Sequence, residues 1–175
     1  MCSVVHECVV PRPRVNEVTE KLFQKYRTLD DYVHARQSVF ERDIYSTGFY
    51  HNKAKNILAT AKIIQAKHHG QIPRTMAEML ALPGVARKTA NVVLGEAYGA
   101  AEGIAVDTHV RRLAKLFGLT KSSNPAIIER DLMALIPKKD WVKTSYLFIE
   151  YGRRYCKAVP HNHQHCPLKS FDAIG

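Results

Sequence analysis

Apolar residues recur every three or four positions along most of the chain, with polar residues between them. Two of the clearest groups are Val15, Val18, Leu22, Phe23 and Tyr26, and then Ile57, Leu58, Ala61 and Ile64. This spacing aligns apolar side chains on one face of a helix, and no segment alternates as a half-buried strand does. The pattern therefore predicts an all-α protein.

Residues that favour helix ends divide this pattern into segments. Asp107 is predicted to cap a helix over residues 108–117, because its side chain can accept a backbone N–H bond at the start of that helix. The last helix is predicted over residues 140–155. The side chains predicted to face the core from this helix are Tyr146, Leu147 and Ile149.

Residues 99–103 form the best boundary between two helical lobes, because two glycines punctuate a short stretch between helical patterns. The sequence thus predicts an atypical segment over residues 1–14, a first lobe over residues 15–102 and a second lobe over residues 103–175. A groove between two lobes is a usual place for a ligand.

The charge balance favours a polyanionic partner. Lys and Arg outnumber Asp and Glu by 26 to 16, which gives a formal net charge of +10 and a pI near 9.6. Because each neutralised phosphate releases counterions, nucleic acid is the first partner class to consider, although basic residues can also serve solubility alone. No apolar stretch approaches the roughly 20 residues of a membrane span, and the N-terminus lacks a signal-peptide pattern. We therefore expect no membrane contact and a cytoplasmic protein.

A short turn joins two predicted helices over residues 82–90, whose sequence is LPGVARKTA. Gly84 favours a tight turn, Val85 is expected to fill the space between the helices, and the second helix begins with free backbone N–H groups. Such a turn binds a phosphate without reading base sequence, because the N–H groups and the helix dipole both favour an anion. An ordinary helical hairpin is the alternative. Arg87 and Lys88 argue against it, since they place two cations where a helix start disfavours them.

Lys88 and Asp107 are the candidate catalytic residues. The positive helix end and the neighbouring Arg87 disfavour the charged form of the Lys88 amine, and a neutral amine is a nucleophile. Asp107 is held ionised by the backbone N–H groups of its helix, so it can stabilise a cation or take a proton from Lys88. Taken singly, each residue type is common at a surface, and the prediction depends on their combination.

The stretch LPGVARKTANVV at residues 82–93, followed by IAVDTHVRRL at residues 104–113, closely resembles the endonuclease III branch of the helix-hairpin-helix DNA glycosylases. The resemblance extends from about Val15 to Cys156. It implies the HhH-GPD glycosylase fold, N-terminally shortened, with a six-helix-barrel-type first lobe that carries a helix-hairpin-helix at about residues 76–98. It also implies a groove between the lobes that binds DNA and the damaged base.

The resemblance further implies a base excision repair enzyme that removes oxidised pyrimidines and then cuts the strand. Lys88 matches the lysine that displaces the base, forms a Schiff base with the sugar and leads to β-elimination, and Asp107 matches the assisting carboxylate. The implied partner is double-stranded DNA with a damaged base or an abasic site, bound by a monomer. The enzyme would act at the nucleoid of a bacterium or archaeon, or in a eukaryotic nucleus. Two alternatives are a DNA-binding module that has lost catalysis and a monofunctional mismatch glycosylase, against which Lys88 argues.

The DNA contacts predicted by the resemblance lie mainly on the hairpin. They are Leu82, Gly84, Val85, Ala86, Arg87 and Thr89, together with Phe49 and Arg112 outside it. Phe49 matches a position where relatives place an apolar wedge beside the vacated base, and a core aromatic is the alternative. Arg112 is expected on the groove side of its helix. Ala86 stands where relatives usually have glycine, and a positive φ there would cost about 1 kcal/mol.

Two segments depart from the family pattern. Relatives often hold a four-iron four-sulfur cluster on four cysteines, and the corresponding positions here are Cys156, His163, Cys166 and Asp172. Because these clusters use thiolate ligands, the loss of two thiolates argues against a cluster, and we expect no cofactor. A zinc site from Cys156, His163 and Cys166, with Asp172 or His165, is chemically allowed. A loop closed by packing alone is the preferred interpretation.

The other departure is the start of the chain. Relatives have an earlier helix there and a glutamine that fills the space left by the flipped base, whereas residues 1–14 contain no glutamine. Pro11 and Pro13 interrupt any helix in this segment. A truncated or frame-shifted start is therefore a hypothesis.

Overall fold

The structure is a computed structural model that describes residues 13–100, 102–162 and 166–168, without the side chains of residues 13–15. Every regular element in these ranges is helical, so the predicted all-α fold is confirmed. The chain divides into two compact units, one ending at Val93 and the other beginning at Leu94. Among the described residues, no helix is long and apolar enough to cross a membrane.

In the described part of the first unit, five α-helices precede a sixth that crosses the boundary. They are α1 (Pro13–Lys25), α2 (Leu29–Val33), α3 (Gln37–Asp43), α4 (Tyr50–Lys67), α5 (Met76–Leu80) and α6 (Arg87–Tyr98), with a 3-10 turn at Tyr45–Thr47. Helix α1 begins at Pro13, because the fixed φ of proline suits the first helical position.

The core of the first unit is built against α4. Helices α2 and α3 both pack on α4, and three buried aromatic rings, Tyr26, Tyr32 and Phe40, meet with centroids 5.2–5.9 Å apart. The hydroxyl of Tyr26 donates to Oδ2 of Asp43 at 2.8 Å. Burial, followed by this bond and the charge of Asp43, raises the pKa of Tyr26. This core fixes the position of α4 within the first unit.

The second unit contains three further α-helices in its described part. They are α7 (Thr108–Leu116), α8 (Pro125–Leu135) and α9 (Trp141–Arg154), with a 3-10 turn at Lys138–Asp140. Helix α7 packs on both α8 and α9. The buried apolar cluster between them consists of Ile104, Val110, Ala114, Ile128 and Leu132. Its packing fixes the first turn of α7, and with it Asp107.

The prediction that Tyr146 and Leu147 face the core is wrong, since their side chains are 42% and 56% exposed. The face of α9 that is buried carries small residues instead, among them Ser145 and Gly152. Ser145 donates its hydroxyl to the backbone oxygen of Ala105 at 3.1 Å. A Cβ on Gly152 would lie 2.5 Å from Nδ1 of His109. Helix α7 approaches α9 so closely that only the face of α9 with small side chains can pack against it, and the face with Tyr146 and Leu147 stays exposed.

Candidate active site

A tight turn between α5 and α6 is held in place by the first unit. Leu82 is buried, and its backbone oxygen accepts the N–H of Val85 at 3.2 Å. From α4, the hydroxyl of Thr60 donates to the backbone oxygen of Pro83 at 3.0 Å. The predicted hairpin is therefore present as a local structure, with its turn bonded to a neighbouring helix.

Gly84 is required at the centre of this turn for two reasons. Its φ is +75°, a left-handed conformation that costs other residues about 1–2 kcal/mol. A Cβ at this position would also lie 2.7 Å from Nδ2 and 3.0 Å from Cβ of Asn56. Ala86 is not among the described residues with positive φ. The alanine at that position therefore carries no left-handed penalty.

Lys88 lies in the first turn of α6, where its side chain is half-buried together with that of Thr89, while Arg87 is exposed. The first backbone N–H groups of a helix have no partner within that helix, and they carry its positive dipole end. The turn and the start of α6 therefore present cationic side chains and backbone donors beside one another. This combination suits a phosphodiester and a nucleophilic amine next to it.

Asp107 is the N-cap of α7, as the sequence predicts. Its backbone is extended, with φ −103° and ψ −169°, and its side chain accepts the N–H of Val110 at 2.8 Å from Oδ1. The side chain is half-buried and lies at the N-terminus of α7, the positive end of the helix dipole. Lys88 belongs to the first unit and Asp107 to the second. Their meeting in one groove stays a prediction.

Phe49 directly precedes α4 in an unusual conformation. Its φ of 50° and ψ of 30° are left-handed, and it follows Gly48, whose φ is also positive. The side chain is 88% exposed, so the alternative of a core aromatic is wrong. An exposed apolar ring held at an energetic cost of about 1–2 kcal/mol is a feature that points to an intermolecular contact.

Arg112 on α7 is half-buried and binds Cys156. One guanidinium nitrogen donates to Sγ of Cys156 at 3.1 Å, and another donates to the backbone oxygen of the same residue. Sequence reasoning did not identify this contact, because 44 residues separate the two partners. The predicted contact of Arg112 with DNA stays a prediction.

Three potential metal ligands meet after the end of α9. Cys156 and Cys166 are buried, His161 is half-buried, and their ligand atoms all lie within 4.8 Å of one another. The cysteine spacing of relatives predicts His163 at this place, and the structure brings His161 there instead. The run HNHQH contains three histidines in five positions, and spacing alone could not choose among them. His163, His165 and Asp172 lie outside the described residues.

Residues 12–138 match the family model of the HhH-GPD superfamily of base excision DNA repair proteins. The chain is 50% identical to the endonuclease III of Synechocystis sp. over 145 residues, which cover 83% of this chain and 66% of that protein. It is 44% identical to the endonuclease III of Bacillus subtilis, with 89% of this chain and 71% of that protein covered.

Two solved structures of endonuclease III are also similar to this chain. A non-covalent complex with DNA superimposes with a TM-score of 0.88 at 40% identity, covering 97% of this chain and 79% of that one. A trapped covalent intermediate with DNA gives a TM-score of 0.83 at 44% identity, covering 88% and 72%. A thermostable thymine-DNA glycosylase at 20% identity shares the fold, with a TM-score of 0.82.

Proposed function

The chain belongs to the endonuclease III branch of the HhH-GPD superfamily of base excision DNA repair proteins, and we propose that it is a DNA glycosylase with abasic-site lyase activity. The family predicted from the sequence is confirmed. The observation that carries the proposed activity is the position of Lys88, half-buried in the first turn of the hairpin helix. A glycosylase that only releases the base does not need an amine there.

DNA is held by the turn between α5 and α6. The positive φ of Gly84 and the bond from Thr60 to Pro83 fix this turn, so its backbone donors are already oriented for a phosphate. The net charge of +10 supports the binding of the duplex by counterion release. Contacts of this kind position the enzyme and read no sequence, as repair at any site requires.

Lys88 supplies the covalent step. Its Nζ lone pair forms a bond to the sugar carbon that carries the base, while the bond from that carbon to the base breaks and the base leaves with the electron pair and a proton. The nitrogen lone pair then forms the C=N bond of a Schiff base as the bond from that carbon to the ring oxygen breaks and the oxygen takes up a proton. Loss of a proton from the adjacent sugar carbon drives β-elimination, which breaks the bond between the 3′ carbon and its phosphate oxygen. Water then releases the sugar from Lys88. The similarity to a trapped covalent endonuclease III–DNA intermediate supports this route.

Asp107 assists as an ionised carboxylate. Its bond to the N–H of Val110 fixes the side chain at the α7 N-terminus, where a carboxylate can stabilise a developing sugar cation or take a proton from Lys88. Phe49, exposed and left-handed, serves as the wedge that fills the stack after the base is flipped out. We infer that the substrates are oxidised pyrimidines and that the active form is a monomer. The enzyme would act at the nucleoid of a bacterium or archaeon, or in a eukaryotic nucleus.

Cleavage assays with two lysine variants test this proposal. Lys88→Ala should lower strand cleavage at an abasic site, and release of an oxidised pyrimidine, by at least about 10³-fold, because the nucleophile is gone. Lys62→Ala, which removes an exposed lysine from α4, is the matched control and should retain both activities. DNA binding without cleavage by the wild type would favour the binding module. Base release without strand cleavage would favour a monofunctional glycosylase.

A further inference from the structure

The residues that follow α9 bring two thiols and one imidazole to a common point. Cys156 is fully buried and Cys166 is 5% exposed. The Nε2 atom of His161 lies 3.5 Å from Sγ of Cys166, and the three potential ligand atoms lie within 4.8 Å of one another. These side chains belong to the second unit alone, and none of them is used in the proposed reaction.

This donor set does not fit a four-iron four-sulfur cluster. Such a cluster uses four thiolates, and each thiolate binds a different iron, whereas the described residues bring only two sulfurs together with one nitrogen. A single zinc ion accepts this mixture of sulfur and nitrogen. With Zn–S bonds of about 2.3 Å at a tetrahedral angle, two sulfur ligands stand about 3.8 Å apart, and the ligand atoms here already lie within 4.8 Å of one another.

The imidazole of His161 is oriented with Nε2 toward Cys166. Its Nδ1 lies 2.9 Å from the backbone oxygen of Val159. A carbonyl oxygen only accepts hydrogen bonds, so Nδ1 is the donor in this contact, and Nε2 is the nitrogen available to a metal. A backbone carbonyl that orients a histidine in this way is the usual outer partner of a metal-bound imidazole.

Arg112 completes the surroundings of the site. Its guanidinium donates to Sγ of Cys156 at 3.1 Å, and donors of this kind offset the charge of a metal-bound thiolate. Apolar side chains enclose the two cysteines, among them Leu113, Phe117 and Phe148. Two thiolates balance the charge of one divalent ion, so the ion and its three ligands by themselves would carry no net charge into this apolar environment.

We propose that Cys156, His161 and Cys166 bind one structural zinc ion that fastens the segment after α9 onto α7 and α9. Solvent or another residue of the chain completes the tetrahedron. In this proposal the zinc ion, and not packing alone, closes the loop that follows α9. A bond from the backbone N–H of Leu168 to the hydroxyl of Tyr151, at 3.2 Å, already joins the far end of the segment to α9.

Metal analysis of the full chain tests the site. Protein produced with both iron and zinc in the medium should contain about one zinc per chain and no stoichiometric iron. His161→Ala should lose most of this zinc, while His161→Cys should retain it, because a thiolate can replace the imidazole. The control His34→Ala removes an exposed histidine of the first unit and should keep the full zinc content.

Two further readouts do not depend on enzymatic activity. The cobalt-substituted protein should show a thiolate-to-cobalt charge-transfer band that weakens in Cys166→Ser, and a chelator should lower the Tm of the wild type but not of His161→Ala. Stoichiometric iron with sulfide would overturn the proposal, and so would a Cys156–Cys166 disulfide in the isolated protein. Metal-free wild type that has the same Tm with and without added zinc would overturn it as well.

Discussion

Gly84→Ala should destabilise the hairpin by an amount that the geometry allows to be estimated. The positive φ costs alanine about 1–2 kcal/mol, of which the lower entropy of the unfolded chain returns about 0.4–1 kcal/mol. The new Cβ would lie 2.7 Å from Nδ2 and 3.0 Å from Cβ of Asn56, and this overlap adds about 1–3 kcal/mol. The sum is about 1–5 kcal/mol. At about 2–4 °C per kcal/mol for a chain of this size, Tm should fall by roughly 2–20 °C.

Gly99→Ala is the matched control for this change. Gly99 also has a positive φ, of 62°, but no heavy atom lies within 4 Å of a Cβ built on it. Gly99→Ala should therefore be destabilised only by the left-handed conformation, by about 1–2 kcal/mol before the entropy of the unfolded chain is considered. Calorimetry of both variants isolates the contribution of the contact with Asn56, and a Gly84→Ala/Asn56→Ala double variant should recover part of the loss. Equal Tm values for Gly84→Ala and Gly99→Ala would refute the close approach of the turn to α4.

Three further predictions follow from the site. Asp107→Asn should keep the α7 cap and stay within about 0.5 kcal/mol of the wild-type stability, because Asn accepts the same backbone bond. Its strand cleavage should nevertheless fall about 10²–10⁴-fold in a kinetic assay, and retained cleavage would exclude a catalytic charge. Phe49→Gly should raise Tm by relieving a left-handed conformation while weakening binding to an abasic duplex about tenfold in a titration; unchanged affinity would exclude the wedge. Tyr26→Phe should make the free energy of unfolding less dependent on pH above about pH 10. The raised pKa of Tyr26 stabilises the fold below the unfolded pKa of about 10, and this stabilisation is lost as pH rises above it. An unchanged profile in denaturant titrations across that range would contradict the prediction.

Local rules were sufficient for the elements that position the candidate site. Asp107 could be predicted as an N-cap, because its bond to the N–H of Val110 lies within one helical turn. The turn at Gly84 could be predicted for the same reason, since its conformation is set by neighbouring residues. The contact of this glycine with Asn56 could not be predicted, because it depends on how α4 packs against the turn.

Tertiary packing explains what the sequence did not reveal. Helical periodicity shows that α9 has apolar residues, but it does not say which face a neighbour covers. Helix α7 packs against the face of α9 that contains Gly152, and Tyr146 and Leu147 are left exposed. Likewise, the partner of Arg112 is a thiol 44 residues away. The meeting of His161 with two cysteines depends on a loop conformation that no periodicity encodes.

The nucleophile itself can be identified directly. The protein is incubated with an abasic-site duplex and borohydride, which reduces a Schiff base to a stable bond, and the adduct is digested and located by mass spectrometry. The account predicts a covalent adduct on the peptide that contains Lys88, with none formed by Lys88→Ala and normal yield from Lys62→Ala. An adduct on another residue, or an equal yield from Lys88→Ala, would contradict it.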